Sequence, residues 1–489
     1  MPEPSDAAPV PGGQPVSELR AALDRGALTS AALTAACLDR IERLDRTLHT
    51  VIAVCPDAAA HAAESDAARA NGGPRGPLDG IPVLVKDNIQ VAGLPATAGS
   101  PALLETESGD AFCVTKLRQA GAVIVGKANL SEWANFRSTH STSGWSTLGG
   151  QVANPRGPGR NPSGSSSGSA AAVAAGLVPL TVGSETDGSI VCPASACGVV
   201  GIKPTVGLVS RSGIVPISIE QDTAGPLAAC VADAAVLLGV LAGPDPDDPA
   251  APAPGQVADY AACLDPGALA GARIGVWRAG SAAATARTTA VLDAAVARLR
   301  AAGAVLADPV ELAGAEQLGE PEYTALLHEF KQGLNAYLAR LDGDHPATLA
   351  DLIEFNERHA DRILAPFGQE IFERAQACSG DPADPEYVEA RTAATRLART
   401  ALDQAFAANR LDAVVSLTLN PAGLTDYVLG DHHVFETSGP AAVSGYPAIS
   451  VPAGTVAGLP VGLSFTGPAW SEPRLIALAY AFERAASAA

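Results

Sequence analysis

The chain is short of lysine. Of its 32 basic residues only five are lysines: Lys86, Lys116, Lys127, Lys203 and Lys331. Arginine stands almost everywhere that a fixed positive charge suffices. A retained lysine can therefore mark a site where losing a proton matters, which arginine cannot do, or a plain structural contact. Basic blocks are also missing. With 52 acidic residues the net charge is −20, which argues against nucleic acid and anionic membranes as partners. No uninterrupted apolar run reaches the roughly 18 residues of a membrane span. The opening stretch MPEPSDAAPVPGGQPV has neither the basic nor the apolar region of a leader, so a cytoplasmic protein is expected. The eight cysteines (Cys37, Cys55, Cys113, Cys192, Cys197, Cys230, Cys263 and Cys378) include no CxxC pair. Cys192 and Cys197 lack the second pair that zinc would need, so buried thiols and no metal are expected.

What is present suits a folded protein. Hydrophobic residues make up 47% and charged residues 17%, over a length of 489 that can bury a large core. Residues 1–15 are rich in proline and glycine and are expected to be a disordered tail. From Ser17 to Arg46 apolar residues recur at helical spacing, with Thr29 a candidate N-cap between two helices, and 57–70 reads as another helix. The run Ile81–Val85 reads as a strand ended by Lys86-Asp87-Asn88. Further strands are expected at 123–125, 178–182, 199–203, 272–276, from 305, and at 412–416, 448–451 and 461–465. Helices are expected at 111–120, 170–175, 233–241, 288–302 and 474–486, with 320–406 largely helical. This alternation predicts an α/β fold: a mixed central β-sheet covered by α-helices on both sides. Residues 244–254 (PDPDDPAAPAP) punctuate the chain as a surface linker, but the same rhythm runs on both sides of it. A single domain over residues 16–489 is expected.

The chemistry concentrates between Asn161 and Pro193, NPSGSSSGSAAAVAAGLVPLTVGSETDGSIVCP. A Gly/Ser loop, 163–169, runs into a small apolar segment, and a second polar loop, 183–189, follows. Such loops leave backbone N–H groups uncovered for a ligand. Ser165 and Ser189 lie one in each loop, 24 positions apart. One reading takes Gly164–Gly168 as a G-x-S-x-G nucleophile elbow centred on Ser166, with Asp431 and His432 or His433 completing an esterase-type triad. The preceding RGPGRNP is no strand, which counts against it. The other reading joins Lys86, Ser165 and Ser189. A lysine desolvated at the end of an apolar strand can be neutral near pH ~7–8 and serve a serine as base. The loop ahead of Ser189 supplies the N–H groups that acyl transfer needs for an oxyanion.

The stretches GIPVLVKDNI, GAVIVGKANLSEW, NPSGSSSGSAAAVAAGLVPL, GSETDGSIVCPA, GVVGIKPTVGLVSRSGIVPIS, QDTAGPLA and GYPAISVPAG with GLPVGLSFTG span residues 80–467. Together they resemble the amidase signature family. That resemblance implies an amidohydrolase without cofactor, acting through a Ser-Ser-Lys triad. Lys86 falls on the base, Ser165 on the bridging serine and Ser189 on the acyl-enzyme serine. The oxyanion N–H groups fall on Thr186, Asp187, Gly188 and Ser189, and a cis Gly164–Ser165 peptide is implied. Two positions depart from the pattern: Asp187-Gly188-Ser189 where Gly-Gly-Ser is common, and Val191 where arginine is common. The second argues against an acidic substrate held there. ETDGSI and SEWANFRSTHSTSGW are most similar to the peptide amidase branch, so neutral or C-terminally amidated peptides are the expected substrates.

Aryl-amide or hydrazide hydrolysis, the Ser-His-Asp esterase, a glutamine-hydrolysing subunit of a tRNA amidotransferase and an inactive binding protein stay open as alternatives. The chain is expected as monomer or homodimer. Lys203 reads as structural, His140 as a loop residue, and Trp133, Phe136 and Trp145 as packing or substrate wall.

Overall fold

A computed structural model describes residues 13–251 and 259–487. The tail expected over residues 1–15 therefore lies outside them except for its last three residues. Eleven strands form one sheet: β1 (Val51–Val54), β2 (Pro82–Lys86), β3 (Val123–Ala128), β4 (Leu180–Glu185), β5 (Val200–Lys203), β6 (Thr223–Ala228), β7 (Arg273–Val276), β8 (Val305–Ala307), β9 (Ala413–Leu417), β10 (Ala448–Val456) and β11 (Leu459–Thr466). Their order is β1-β3-β2-β4-β6-β5-β10-β11-β9-β7-β8. β2 pairs in parallel with both β3 and β4, and β7 with β8 and β9; the remaining pairs are antiparallel. The sheet is mixed, as expected, and takes strands from both sides of residues 244–254.

Strand alternation divides the core. Val83, Val85, Ile124, Leu180 and Val182 pack on one face with Leu19 and Leu23 of the first helix, Val114 and Leu117 of the helix Phe112–Gln119, and Leu237 and Leu238 of the helix Val231–Leu241. Leu84, Val123 and Val125 point the other way, onto Cys37 and Ile41, Ala58 and Ala62, and Ala172. The first two helices run Val16–Asp24 and Ser30–Leu48, and Thr29 accepts from Ala32 N as the expected N-cap.

Two elements run against the sequence reading. β6 is not among the expected strands and contains Gly225 and Pro226, yet it pairs with β4 along its whole length, Val182 opposite Pro226. The polar stretch from Gly183 is not all loop either, because the same ladder carries β4 to Glu185. In the described part of the Pro-rich stretch, Asp245 and Asp248 are buried and take hydrogen bonds from Ser210 and Arg211, which fixes this part against the body. All eight cysteines are free thiols, five of them buried. No described helix is long and apolar enough to cross a membrane.

The closing helix, Glu472–Ser487, rests on the sheet through Phe482, whose ring meets Phe465 of β11 edge-on at 5.7 Å. Both are fully buried. Phe482→Ala is expected to cost about 3–5 kcal/mol through lost burial and the cavity left behind. Thermal and denaturant unfolding of the purified variant measure this.

Candidate active site

β2 delivers Lys86 to its carboxyl end, on the face opposite Val85. Its side chain is wholly buried. The amine nitrogen lies 2.8 Å from Ser165 Oγ, 3.0 Å from Ser184 Oγ and 3.0 Å from the Ser184 carbonyl. Asn88 donates to the same Ser184 hydroxyl at 2.9 Å. No carboxylate touches the amine. Burial lowers its pKa to about 7, opposed by the more distant charges of Glu185 and Asp222. Asp87 turns to the other side, as strand alternation requires, and pairs with Lys127 at 3.1 Å.

The Gly/Ser loop that carries Ser165 is locked by its own side chains. Ser163 N donates to Asn161 Oδ1 and Ser167 Oγ to the Ser163 carbonyl, both at 2.6 Å, and Ser131 N donates to the Ser165 carbonyl at 3.1 Å. The Gly164–Ser165 peptide is cis. The helix Ser167–Ala174 that follows is almost entirely small side chains and is buried from Ser167 to Val173. At Gly168 a Cβ would come within 2.4 Å of the Asn129 carbonyl oxygen, so only glycine permits this approach.

Ser166 spends its hydroxyl on backbone, donating to Ser184 O at 3.0 Å and accepting from Ser184 N at 3.2 Å. His432 pairs with Asp426 at 3.1 Å, while His433 lies 3.5 Å from Asp431 and 3.6 Å from Glu436. Neither imidazole hydrogen-bonds Ser166. The esterase-type arrangement is not assembled.

The second loop leaves β4 at Glu185, whose Oε2 accepts from Ile190 N at 2.7 Å and Val191 N at 3.0 Å. This carboxylate closes the loop and caps the short helix Val191–Cys197. Thr186 Oγ1 donates to Asp222, and Gly188 adopts φ +75°, where other residues are strained. The backbone N–H groups of Thr186, Asp187, Gly188 and Ser189 meet no acceptor among the described residues. Ser166 also ties its loop to the turn beyond β4, its N–H donating to the Ser189 carbonyl at 3.0 Å. Lys86 and Ser165 are thus in direct contact. The Ser189 hydroxyl instead opens on a cavity of about 170 Å³, lined also by Phe136, Ser163, Asp187, Ile217 and Glu436, without a hydrogen bond to Ser165. Such contacts often close only around bound substrate.

Residues 32–476 match the family model described as Amidase. The chain belongs to the amidase signature family. The native peptide amidase from Stenotrophomonas maltophilia superposes with a TM-score of 0.91 at 49% identity, covering 97% of this chain and 98% of that one. A peptide amidase in complex with the competitive inhibitor chymostatin gives 0.92 at 50% identity, over 96% and 97% of the two chains. A probable amidase of Arabidopsis thaliana is 40% identical over 483 residues, covering 96% of this chain and 89% of the relative.

Several residues of this amidase's site escaped the sequence reading. Ser184 and Asn88 complete the surroundings of Lys86, but nothing in a lone serine at a strand end signals that. Glu322 comes from a distant helix, Gly319–Leu338, and accepts from Gln221 at 2.8 Å. Burial raises its carboxyl well above the usual range, with the Asp187 charge adding to it; burial likewise raises Asp187, against a Ser438 hydrogen bond and the Lys203 charge. Lys203 is buried too and lowered to about 8 by burial, with Glu185, Glu472 and Asp187 opposing. Phe136 packs on Phe330 at 5.2 Å and also lines the cavity, while Trp133 is core.

Glu185→Ala leaves the N–H groups of Ile190 and Val191 without their shared acceptor. It is expected to lower stability by about 1–3 kcal/mol, with Glu185→Gln recovering part through its carbonyl. Equilibrium unfolding of both variants tests the loop clamp.

Proposed function

We propose that the chain hydrolyses amide C–N bonds through an acyl-enzyme on Ser189, with Ser165 and Lys86 completing a Ser-Ser-Lys triad. The observation that carries this reading is the 2.8 Å contact between Ser165 Oγ and a fully buried, carboxylate-free Lys86 amine. When neutral, that amine can keep its two N–H bonds on the Ser184 oxygens and turn its lone pair to the Ser165 hydroxyl. Ser189 Oγ attacks the amide carbonyl, and its proton passes through Ser165 to Lys86. The carbonyl oxygen, now anionic, takes the free N–H groups of residues 186–189. Collapse breaks the C–N bond, and the proton returns from Lys86 through Ser165 to the leaving nitrogen. Water then repeats the sequence on the acyl-enzyme and releases the acid.

Neutral or C-terminally amidated peptides are the favoured substrates. Val191 offers no cation for a substrate carboxylate where arginine would. The likeness to peptide amidases supports the same class. Aryl amides and hydrazides are the alternative, since the leaving side of the cavity need hold only a small group.

A fluorophosphonate probe is expected to label Ser189, located by peptide mass spectrometry. Ser189→Ala should lose at least ~10³-fold in kcat with its unfolding curve intact. An adduct on Ser166 would overturn the assignment.

The active form holds Lys86 unprotonated, so it gains population as pH rises through the folded pKa of about 7. The kcat/KM profile should climb to half its plateau near there. Lys86→Arg, protonated throughout, should be as inactive as Lys86→Ala; substantial turnover by Lys86→Arg would count against a lysine base.

A further inference from the structure

Among the described residues eleven large hydrophobic side chains are exposed, and five of them fall within one loop: Leu424, Tyr427, Val428, Leu429 and Val434. Val428 is 86% exposed and Leu429 72%. The backbone beneath them is well tied. Thr425 N donates to Gly159 O at 3.0 Å, Asn161 N to Gly423 O at 2.9 Å, and Thr142 Oγ1 to Asp426 O at 2.7 Å. Asp426 Oδ1 accepts from Val428 N at 2.8 Å and Leu429 N at 2.9 Å, and Asp431 Oδ1 takes Ser143 N and Asn161 Nδ2, both at 2.8 Å. The loop's polar groups are turned inward to hold its shape, and its apolar side chains are held in water. A clustered apolar surface of this kind marks a place where something binds.

Its position says what. The loop lies along residues 157–161, which lead directly into Ser163 and the Ser165 loop. Its far end returns through His433 and Glu436, which with Ser163 and Ser189 line the catalytic cavity. That cavity, about 170 Å³, is smaller than the roughly 300–1,000 Å³ that enclose a drug-sized ligand. A peptide acyl group longer than about one residue must therefore run out over the rim. No lysine or arginine occurs between Arg410 and Arg474, while Asp426, Asp431 and Glu436 belong to the loop and its base. Those carboxylates are matched by His432, His433 and the neighbouring Arg160, so what the surface offers a substrate is its neutral apolar side chains.

We infer that the 424–434 loop is the subsite for apolar side chains preceding the C-terminal amide of a peptide substrate. This rests on the amide-hydrolase reading above and adds to it a preference for apolar peptides of more than one residue. Val428→Ser combined with Leu429→Ser removes the two most exposed groups without touching the hydrogen bonds that shape the loop, and Val428→Ile with Leu429→Ile keeps them apolar. With an N-acetylated tri-leucine amide and N-acetyl-leucine amide as substrates, the ratio of their KM values (tripeptide over single residue) should rise about tenfold or more in the serine variant. The isoleucine variant should keep the wild-type ratio. Titration calorimetry of the tripeptide amide into the Ser189→Ala chain, with and without the two serine changes, should show a matching loss of affinity. An unchanged ratio and affinity would overturn the inference. So would equal losses for both substrates, or a dimer that the serine changes dissociate with the ratio unaltered. If neither amide is turned over, the hydrolase reading fails, and the calorimetric comparison still decides the subsite.

Discussion

The site depends on an amine taken out of water and given only neutral partners. At the end of β2, Lys86 faces two serine hydroxyls and a carbonyl at 2.8–3.0 Å and is fully buried. Water would stabilise the ammonium; these partners do so less well, and its pKa falls accordingly. Everything nearby preserves this condition. Asn88 orients Ser184 from behind, Asp87 is drawn away to Lys127, and the alanine-rich helix 167–174 fills the space with side chains that bring no charge.

The two serine loops are positioned by one shared set of contacts. Ser166 bonds the backbone of Ser184 with its hydroxyl and the carbonyl of Ser189 with its N–H, so it gauges the distance between strand β4 and the turn after it. Glu185 closes that turn from inside. Glu185 takes the N–H groups of Ile190 and Val191, while those of residues 186–189 meet no acceptor among the described residues. An unpaired buried N–H is costly, and under the hydrolase reading proposed above these groups are a preformed place for developing negative charge.

How much of this was legible follows from what each residue type reveals alone. The apolar run 81–85 ending in lysine, and two Gly/Ser loops bracketed by core-like segments, pointed to the stretch proposed above as the site and to its α/β setting. Period-two runs were readable because one strand carries its own pattern. β6 was not, because its Gly225 and Pro226 are tolerated only through a neighbour, β4, that the local sequence does not show. Glu322, Glu436 and the apolar loop 424–434 were invisible for the same reason. They lie more than 130 positions from Ser189 and acquire meaning only when the sheet brings β4 and β9 into one layer.

The scarcity of lysine acquires its explanation at the same place. Three of the five, Lys86, Lys127 and Lys203, are fully buried around the site. Lys127 is as deeply buried as Lys86, yet it touches a carboxylate oxygen of Asp87 at 3.1 Å and the carbonyl of Pro95 at 3.0 Å. Desolvation lowers its pKa too, but the adjacent Asp87 charge works directly against it. Lys203 donates to the Pro204 carbonyl at 3.1 Å, and its opposing carboxylates, Glu185, Glu472 and Asp187, make no hydrogen bond to it. Equal burial therefore does not give equal chemistry. A contacting carboxylate makes a lysine a counter-ion, whereas neutral hydroxyls and a carbonyl leave it able to trade its proton. Arginine could replace the first kind at some cost in fit, but never the second. In a chain that prefers arginine throughout, Lys86 is the lysine whose surroundings give a physical reason for the exception.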